Sequence, residues 1–192
     1  TTHTAQTQDS ALSATLCDRA VAGETLSDAK LEVPGYFQWK AGLVRVLGAV
    51  LLVLSSPAIA ILALLVRCTS AGPAFYRQSR VGKNGRQFFI YKLRTMHDCA
   101  ETVTGPIWCR PGDPRITLVG CVLRFFHWDE LPQLLNVVRG EMDLVGPRPE
   151  RPELIKVIVK SVPDYGARLQ VLPGITGLAQ INLPPDTDMD SA

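Results

Sequence analysis

From Val46 to Val66 the chain runs for 21 residues without a charge. At ~1.5 Å of rise per residue, a helix of that length covers roughly the hydrocarbon thickness of a bilayer. The pattern predicts a membrane element over Trp39 to Val66, with Ser55-Ser56-Pro57 near its midpoint. Proline removes a backbone donor there and crowds the preceding turn, while serine hydroxyls can re-satisfy the freed carbonyls, so a bend is expected. Two topologies stay open on physical grounds: a kinked helix that spans, and a helix-break-helix that enters and leaves by one face. Lys40 and Arg45 before the run, with Arg67 and Arg77 after it, give basic flanks at both ends and mildly favour re-entry.

After the apolar run the periodicity changes. Ala74-Phe75-Tyr76, Gly82-Lys83-Asn84-Gly85 and Gln87 to Tyr91 read as strand, hairpin turn and strand, because Asn-Gly between apolar runs is a strong hairpin signal. Ile116 to Phe126 fits either a strand or a helix. Glu153 to Lys160 predicts a helix that ends near Ser161-Val162-Pro163. Residues Thr1 to Pro34 are polar and lack sustained periodicity, which predicts a loosely ordered lead-in with a short helix around Leu12 to Val21. The fold class is α+β.

Between these segments, Leu131, Leu134, Leu135 and Val138 recur at i, i+3, i+4 and i+7, one side of an amphipathic helix. Asp129 suits its N-cap, Pro132 sits in its first turn, and Arg139-Gly140 supplies the stop. Asp129 and Glu130 are thereby placed at a positive helix end, where the macrodipole favours ionised carboxylates and free N–H groups can receive an anion. Capping alone accounts for such acids. What adds a chemical reading is the rigid turn Gly146-Pro147-Arg148-Pro149-Glu150 close behind, which brings carboxylates, an arginine and fixed backbone into one short stretch.

Composition narrows the partners. Hydrophobic content of 46% and mean hydropathy of +0.12 fit one domain with a membrane-associated segment. The net charge of +2 conceals a block with no acid between Glu32 and Asp98, in which Lys40, Arg45, Arg67, Arg77, Arg80, Lys83, Arg86, Lys92 and Arg94 are all basic. That block surrounds the apolar run and fits membrane lipids with anionic headgroups, or a phosphorylated substrate, at about 1 kcal/mol per surface cation near an anionic leaflet. No nucleic-acid motif accompanies it, so nucleic acid is not expected as a partner. Cys17, Cys68, Cys99, Cys109 and Cys121 are odd in number and lack C-x-x-C spacing, which reads as reduced, cytosolic thiols. His3, His97 and His127 form no metal-binding pair.

Several strings, taken in order, resemble the bacterial sugar transferases that are monotopic phosphoglycosyl transferases. They are Ser56-Pro57, Gly72-Pro73-Ala74-Phe75-Tyr76-Arg77-Gln78-Ser79-Arg80-Val81-Gly82, Tyr91-Lys92-Leu93-Arg94-Thr95-Met96, Asp113-Pro114-Arg115-Ile116-Thr117, Leu123-Arg124, Asp129-Glu130-Leu131-Pro132-Gln133-Leu134, Val145-Gly146-Pro147-Arg148-Pro149-Glu150 and Pro173-Gly174-Ile175-Thr176-Gly177. Together they cover about residues 40 to 182, and their joint order is far more specific than any one string.

The resemblance implies transfer of a sugar phosphate from a UDP-sugar donor to a polyprenyl phosphate acceptor, releasing UMP and starting a surface glycan or exopolysaccharide. It implies a site at the cytoplasmic face of the bacterial inner membrane and a re-entrant membrane helix broken at Ser56-Pro57. The organisation it implies is a lead-in over 1–38, the re-entrant element over 39–67, a catalytic domain with a β-hairpin and amphipathic interfacial helices over 68–182, and a shortened tail over 183–192. Asp129 would be the nucleophile, forming a covalent phosphosugar intermediate, and a ligand of the required Mg2+, with Glu130 its partner acid or base. Arg124, Lys92 and Arg94 would meet substrate phosphate, although Lys92 and Arg94 also fit a solvated strand face. Pro147, Arg148 and Pro149 would shape the nucleotide end.

These residue types suit that chemistry. A carboxylate can attack phosphorus and later leave as part of an acyl phosphate, splitting one exchange between anions into two displacements. Arginine's planar fork can grip two phosphate oxygens, and flanking prolines limit where Arg148 points. Tyr165 and Arg168 fit family spacing but serve equally well as packing residues. The chain departs from the family where an acid is usual near Val44, a basic residue near Leu172 and tryptophan near Leu178. It also lacks an initiator Met, and it stops after Leu183-Pro184-Pro185-Asp186 and a few more residues, so a truncated piece is expected. Two other readings compete: a non-catalytic membrane-tethered sugar-nucleotide binding or scaffold protein, and a glycosidase. Adjacent acids at one helix start cannot readily flank a glycosidic bond from two faces, which disfavours the latter.

Overall fold

The computed structural model describes residues 35–98, 100, 113–162 and 165–182. The expected helix over Leu12 to Val21, the tail over 183–192, and Cys17, Cys99, Cys109 and His3 lie outside the described residues. Helix α1, Gly35–Thr69, is long and apolar enough to cross a membrane. Leu47, Val50, Val53, Leu54, Ile61 and Leu64 stand exposed on it.

The helix stays continuous through Ser56 and Pro57, where a break was expected. Proline 57 cannot donate to the Val53 carbonyl, which would be its helical acceptor. The Ser56 hydroxyl donates to that same carbonyl at 2.8 Å, and the Ser55 hydroxyl donates to the Leu51 carbonyl at 2.7 Å. Side-chain donors thus complete the backbone bonding where proline interrupts it.

Both ends of α1 meet the same domain. Near its start, Lys40 pairs with Asp143 at 3.0 Å and Val44 packs on a core of Phe88, Ile90, Val137 and Met142. Near its end, Val66 joins Leu93 and Leu123 in a second core, with Leu62 and Ala63 against it. Gly48 permits the close approach: a Cβ there would lie 2.8 Å from the Val137 side chain.

Strands β1, Phe75–Val81, and β2, Gln87–Leu93, form the expected antiparallel hairpin, longer than the apolar runs suggested, with Arg77 opposite Tyr91 and Val81 opposite Gln87. Its turn holds Asn84 and Gly85 at φ of 56° and 76°, the left-handed geometry that Asn-Gly supplies. The ambiguous segment is helical: α2 spans Leu118–Phe125, capped by the Thr117 side chain, which accepts from the Gly120 N–H at 2.9 Å.

The helix expected to begin at Asp129 starts differently. Trp128–Gln133 is a 3-10 turn, with α3 confined to Leu134–Arg139. The cap position belongs to His127, whose φ of 55° is left-handed and whose side chain makes no capping hydrogen bond. Asp129 lies inside the turn, so its carboxylate is not the helix cap. Downstream, β3, Asp143–Val145, pairs in parallel with β4, Gly174–Thr176, a contact that no periodicity announced. Helix α4 covers Pro152–Ser161 as expected, a further 3-10 turn spans Tyr165–Gln170, and α5 covers Leu178–Asn182.

Candidate active site

The hairpin's alternation places the first charge. Phe88 and Ile90 are buried on the inner face of β2, and Lys92 continues that face. Its ammonium meets Glu130 Oε1 at 2.6 Å, and Arg148 approaches the same oxygen at 3.5 Å. Lys92 and Glu130 are each less than one-fifth exposed. Burial pushes the Glu130 carboxyl up, but Lys92 and then Arg148 outweigh it and hold the group below its ordinary value. For Lys92, burial lowers the ammonium despite the opposing carboxylate of Glu130.

Asp129 differs from its neighbour. It is only 7% exposed; its own backbone N–H donates to its carboxylate, which has no ion pair and no hydrogen bond from another side chain among the described residues. Burial raises it above the ordinary aspartate range; Lys92 and Arg124 oppose that rise, and Glu130 adds to it. Two adjacent acids are thereby separated in character: Glu130 is held ionised by contact, while Asp129 has oxygens available to an incoming group.

Arg124 stands in the last turn of α2 and is steered by a neighbour. Its Nε donates to Thr95 Oγ1 at 2.9 Å, and Thr95 is buried just beyond β2. The helix reaches Thr95 because residue 120 is glycine; a Cβ there would collide with the Thr95 carbonyl. Arg94, although two residues from Lys92, does not join the cluster. Its two Nη atoms donate to the Ala71 carbonyl at 2.6 Å and to the Ser70 carbonyl and hydroxyl at 2.9 and 2.8 Å, so it ties down the chain leaving α1. A phosphate contact for Arg94 would require that fork to let go.

The turn Pro147-Arg148-Pro149 leaves β3 and is held from two sides. Arg80, on β1, donates to the Pro149 carbonyl at 3.0 Å and lies 3.6 Å from Glu150, while the Val81 N–H donates to the Glu150 carbonyl. Burial pushes the Arg80 guanidinium down to about 10, with Glu150 pulling the other way. From the other side, Arg168 donates to the Arg148 carbonyl at 2.5 Å and to the Tyr165 hydroxyl at 2.7 Å. Tyr165 and Arg168 thus brace the Pro147-Arg148-Pro149 turn, a role that spacing alone could not separate from packing. A shallow, solvent-open hollow lies between this turn and Glu130, bordered by Arg80, Lys92, Glu130, Gln133 and Arg148.

The structure therefore brings Asp129, Glu130, Lys92, Arg124 and the Pro147 to Pro149 turn to one region and sends Arg94 elsewhere. Ser56 and Pro57 stay within α1, remote in sequence from this cluster. Sequence reasoning missed Arg80, Thr95 and Gln133. Arg80 had one available signal, a basic residue at an inward register position of β1; Thr95 had none.

Comparisons with known proteins agree with one another. A family model described as bacterial sugar transferase matches residues 36–192. A relative from Caulobacter vibrioides, named UDP-glucose:undecaprenyl-phosphate glucose-1-phosphate transferase, is 47% identical over 136 residues, covering 71% of this chain and 51% of its own length. A Bacillus subtilis protein named putative undecaprenyl-phosphate N-acetylgalactosaminyl 1-phosphate transferase is 43% identical over 118 residues, 62% of this chain and 65% of its own. An Aeromonas hydrophila protein named UDP-N-acetylgalactosamine-undecaprenyl-phosphate N-acetylgalactosaminephosphotransferase is 40% identical over 151 residues, 79% of this chain and 36% of its own. The chain spans from about a third to two thirds of the length of these relatives.

Proposed function

The chain belongs to the bacterial sugar transferase family, and from that premise we propose that it transfers a sugar phosphate from a UDP-sugar to a membrane polyprenyl phosphate, releasing UMP. The observation that carries this reading is the pairing of a buried carboxylate without a side-chain partner, Asp129, with a cationic surround of Lys92, Arg124 and Arg148. Transfer between two phosphate-bearing anions needs that combination: a nucleophile able to depart again, and fixed positive charge for the phosphoryl oxygens.

In the proposed first step an Asp129 oxygen bonds to the phosphorus carrying the sugar, and the bond to the bridging oxygen breaks, with UMP leaving on that electron pair. In the second step an oxygen of polyprenyl phosphate bonds to the same phosphorus and the Asp129 carboxylate leaves. Arg124 and Arg148 carry the charge that keeps phosphate oxygens in place, and Lys92 holds Glu130 ionised beside the nucleophile. The described residues hold no group of three or more His, Cys, Asp or Glu side chains placed to hold a metal ion, so Mg2+ would be held by the Asp129 carboxylate together with substrate phosphates, the hard oxygen ligands it takes. When bound it would neutralise charge on those phosphate oxygens.

The membrane arrangement proposed is re-entrant, with the site on the cytoplasmic face. Support comes from α1 itself: Lys40 and Val44 near one end, and Val66 near the other, pack on one domain, which a simple crossing would pull to opposite sides. Thiol labelling of Lys40→Cys and of the native Cys68 in sealed inner-membrane vesicles should find both positions on one side; opposite sides would sink the topology.

The sugar is not fixed by resemblance, since relatives of comparable identity are named for glucose and for N-acetylgalactosamine. Incubation with a panel of UDP-sugars and Mg2+ tests the activity. UMP should appear continuously with polyprenyl phosphate, or as a single burst of one enzyme equivalent without it, and Asp129→Asn should abolish both. Retained turnover in that variant overturns the nucleophile.

A further inference from the structure

We propose that Gln133 contacts the donor directly, its carboxamide hydrogen-bonding a hydroxyl of the UDP-sugar. The inference rests on the transferase reading and adds a donor-recognising residue to the same site.

Gln133 is 3% exposed, yet it carries a carboxamide that no described residue engages by hydrogen bond or ion pair. Its amide atoms are not among the sealed side-chain atoms that lack a partner, so the carboxamide keeps its donors and acceptor open to an incoming group. Its neighbours Asn136 and Glu141 show the usual outcome: Asn136 Nδ2 donates to the Phe89 carbonyl and to Glu141, each at 2.7 Å. Gln133 is not sealed in either, because it borders the hollow shared with Lys92, Glu130, Arg148 and Arg80.

The turn explains why it faces that way. In a 3-10 helix, residues three apart eclipse one another, so Gln133 lies on the same side of the turn as Glu130. Lys92 and Arg148 already occupy one oxygen of Glu130. The hollow beside Glu130 therefore offers fixed cations for phosphate and one neutral group that both donates and accepts. Hydroxyls use both capacities, whereas phosphate oxygens only accept. A hydroxyl on the donor could belong to the transferred sugar or to the ribose of its nucleotide.

The test uses the full chain in detergent, with Gln133→Met as a near-isosteric variant and Gln133→Ala as a second. Two measurements are made: thermal stability without substrate, and binding of UDP-sugar, UDP and 2′-deoxy-UDP. The proposal expects Gln133→Met to leave the melting temperature unchanged, because the amide has no partner among the described residues to lose, while UDP-sugar binding weakens about tenfold. Weakening confined to UDP-sugar assigns the hydroxyl to the sugar; weakening shared by UDP and absent with 2′-deoxy-UDP assigns it to the ribose. Either result supports the contact. Unchanged binding of all three overturns it, as does a melting temperature lowered in both variants with binding weakened equally for every ligand, which is the mark of a packing residue. Failure of the wild-type protein to bind UDP-sugar or release UMP would instead overturn the transferase reading.

Discussion

Lys92 Nζ lies 2.6 Å from Glu130 Oε1, and this contact ties the inner face of the hairpin to the turn that carries both acids. Removing one partner of a buried pair strands the other charge, at a cost of about 3–5 kcal/mol. Because Arg148 still faces the same Glu130 oxygen, Lys92→Met should lower stability to urea by less than that full cost and reduce UMP release. The sign with pH follows from Glu130, whose carboxyl is held below its ordinary value once Lys92 and Arg148 have outweighed burial. Such a group adds stability that is complete above the ordinary glutamate value and is lost as pH falls through the lowered one. The stability gap between wild type and Lys92→Met should narrow on acidification across that window; a pH-independent gap would mean the pair contributes only packing.

Asp129 has the opposite sign. Burial raises its carboxyl, so the folded state holds the proton more tightly than the unfolded chain, and ionisation at neutral pH costs stability. Asp129→Asn should melt at a higher temperature than wild type near pH 7 while releasing no UMP. The advantage should shrink as pH falls through the raised value, where the wild-type group becomes neutral. UMP release by wild type should fade over the same range. A variant that is inactive and also less stable at pH 7 would show that Asp129 is structural.

Two glycines test whether close approach places Arg124. At Gly120 a Cβ would collide with the backbone of Thr95, whose hydroxyl accepts from Arg124. Gly120→Ala should destabilise by about 1–3 kcal/mol or more and should weaken binding of the donor's phosphates. Gly42, in α1, has open space around its would-be Cβ, and alanine there should stabilise the helix by about 0.5–1 kcal/mol with activity unchanged. Denaturation and UMP release measured on both variants separate a local clash from a general intolerance of change.

How legible this site was depended on the range of the physics involved. The hairpin was readable because Asn84-Gly85 sits between alternating runs, and the inward run Phe88, Ile90, Lys92 places a cation against the core within a few residues. Arg94 looked equivalent to Lys92 in sequence. Only the path of the chain after α1 shows its fork engaged by Ser70 and Ala71. The apolar spacing after Asp129 was read as one α-helix, yet the left-handed His127 and Pro132 produce a 3-10 start that turns Asp129 from a cap into a buried acid. The β3–β4 pairing was invisible, because each strand has three residues and the partners lie about thirty positions apart. Periodicity reports on single elements; it carries no record of which short segments meet.

The proline in α1 gives the last test. Ser56 donates to the Val53 carbonyl, the acceptor that Pro57 leaves without an N–H. In a hydrocarbon surround that carbonyl has no water to turn to, so the hydroxyl substitutes for the missing donor. Ser56→Ala should cost about 1 kcal/mol of stability in detergent or lipid. Pro57→Ala restores the backbone donor, and in that background Ser56→Ala should cost close to nothing, because the carbonyl is already bonded. A double-mutant cycle on thermal unfolding reads the coupling directly. Equal costs for Ser56→Ala in both backgrounds would mean the hydroxyl serves something other than the proline's vacant acceptor. If Pro57→Ala also leaves the helix intact but moves one of its labelled ends to the far side of the membrane, the proline is needed for re-entry and the serine for tolerating it.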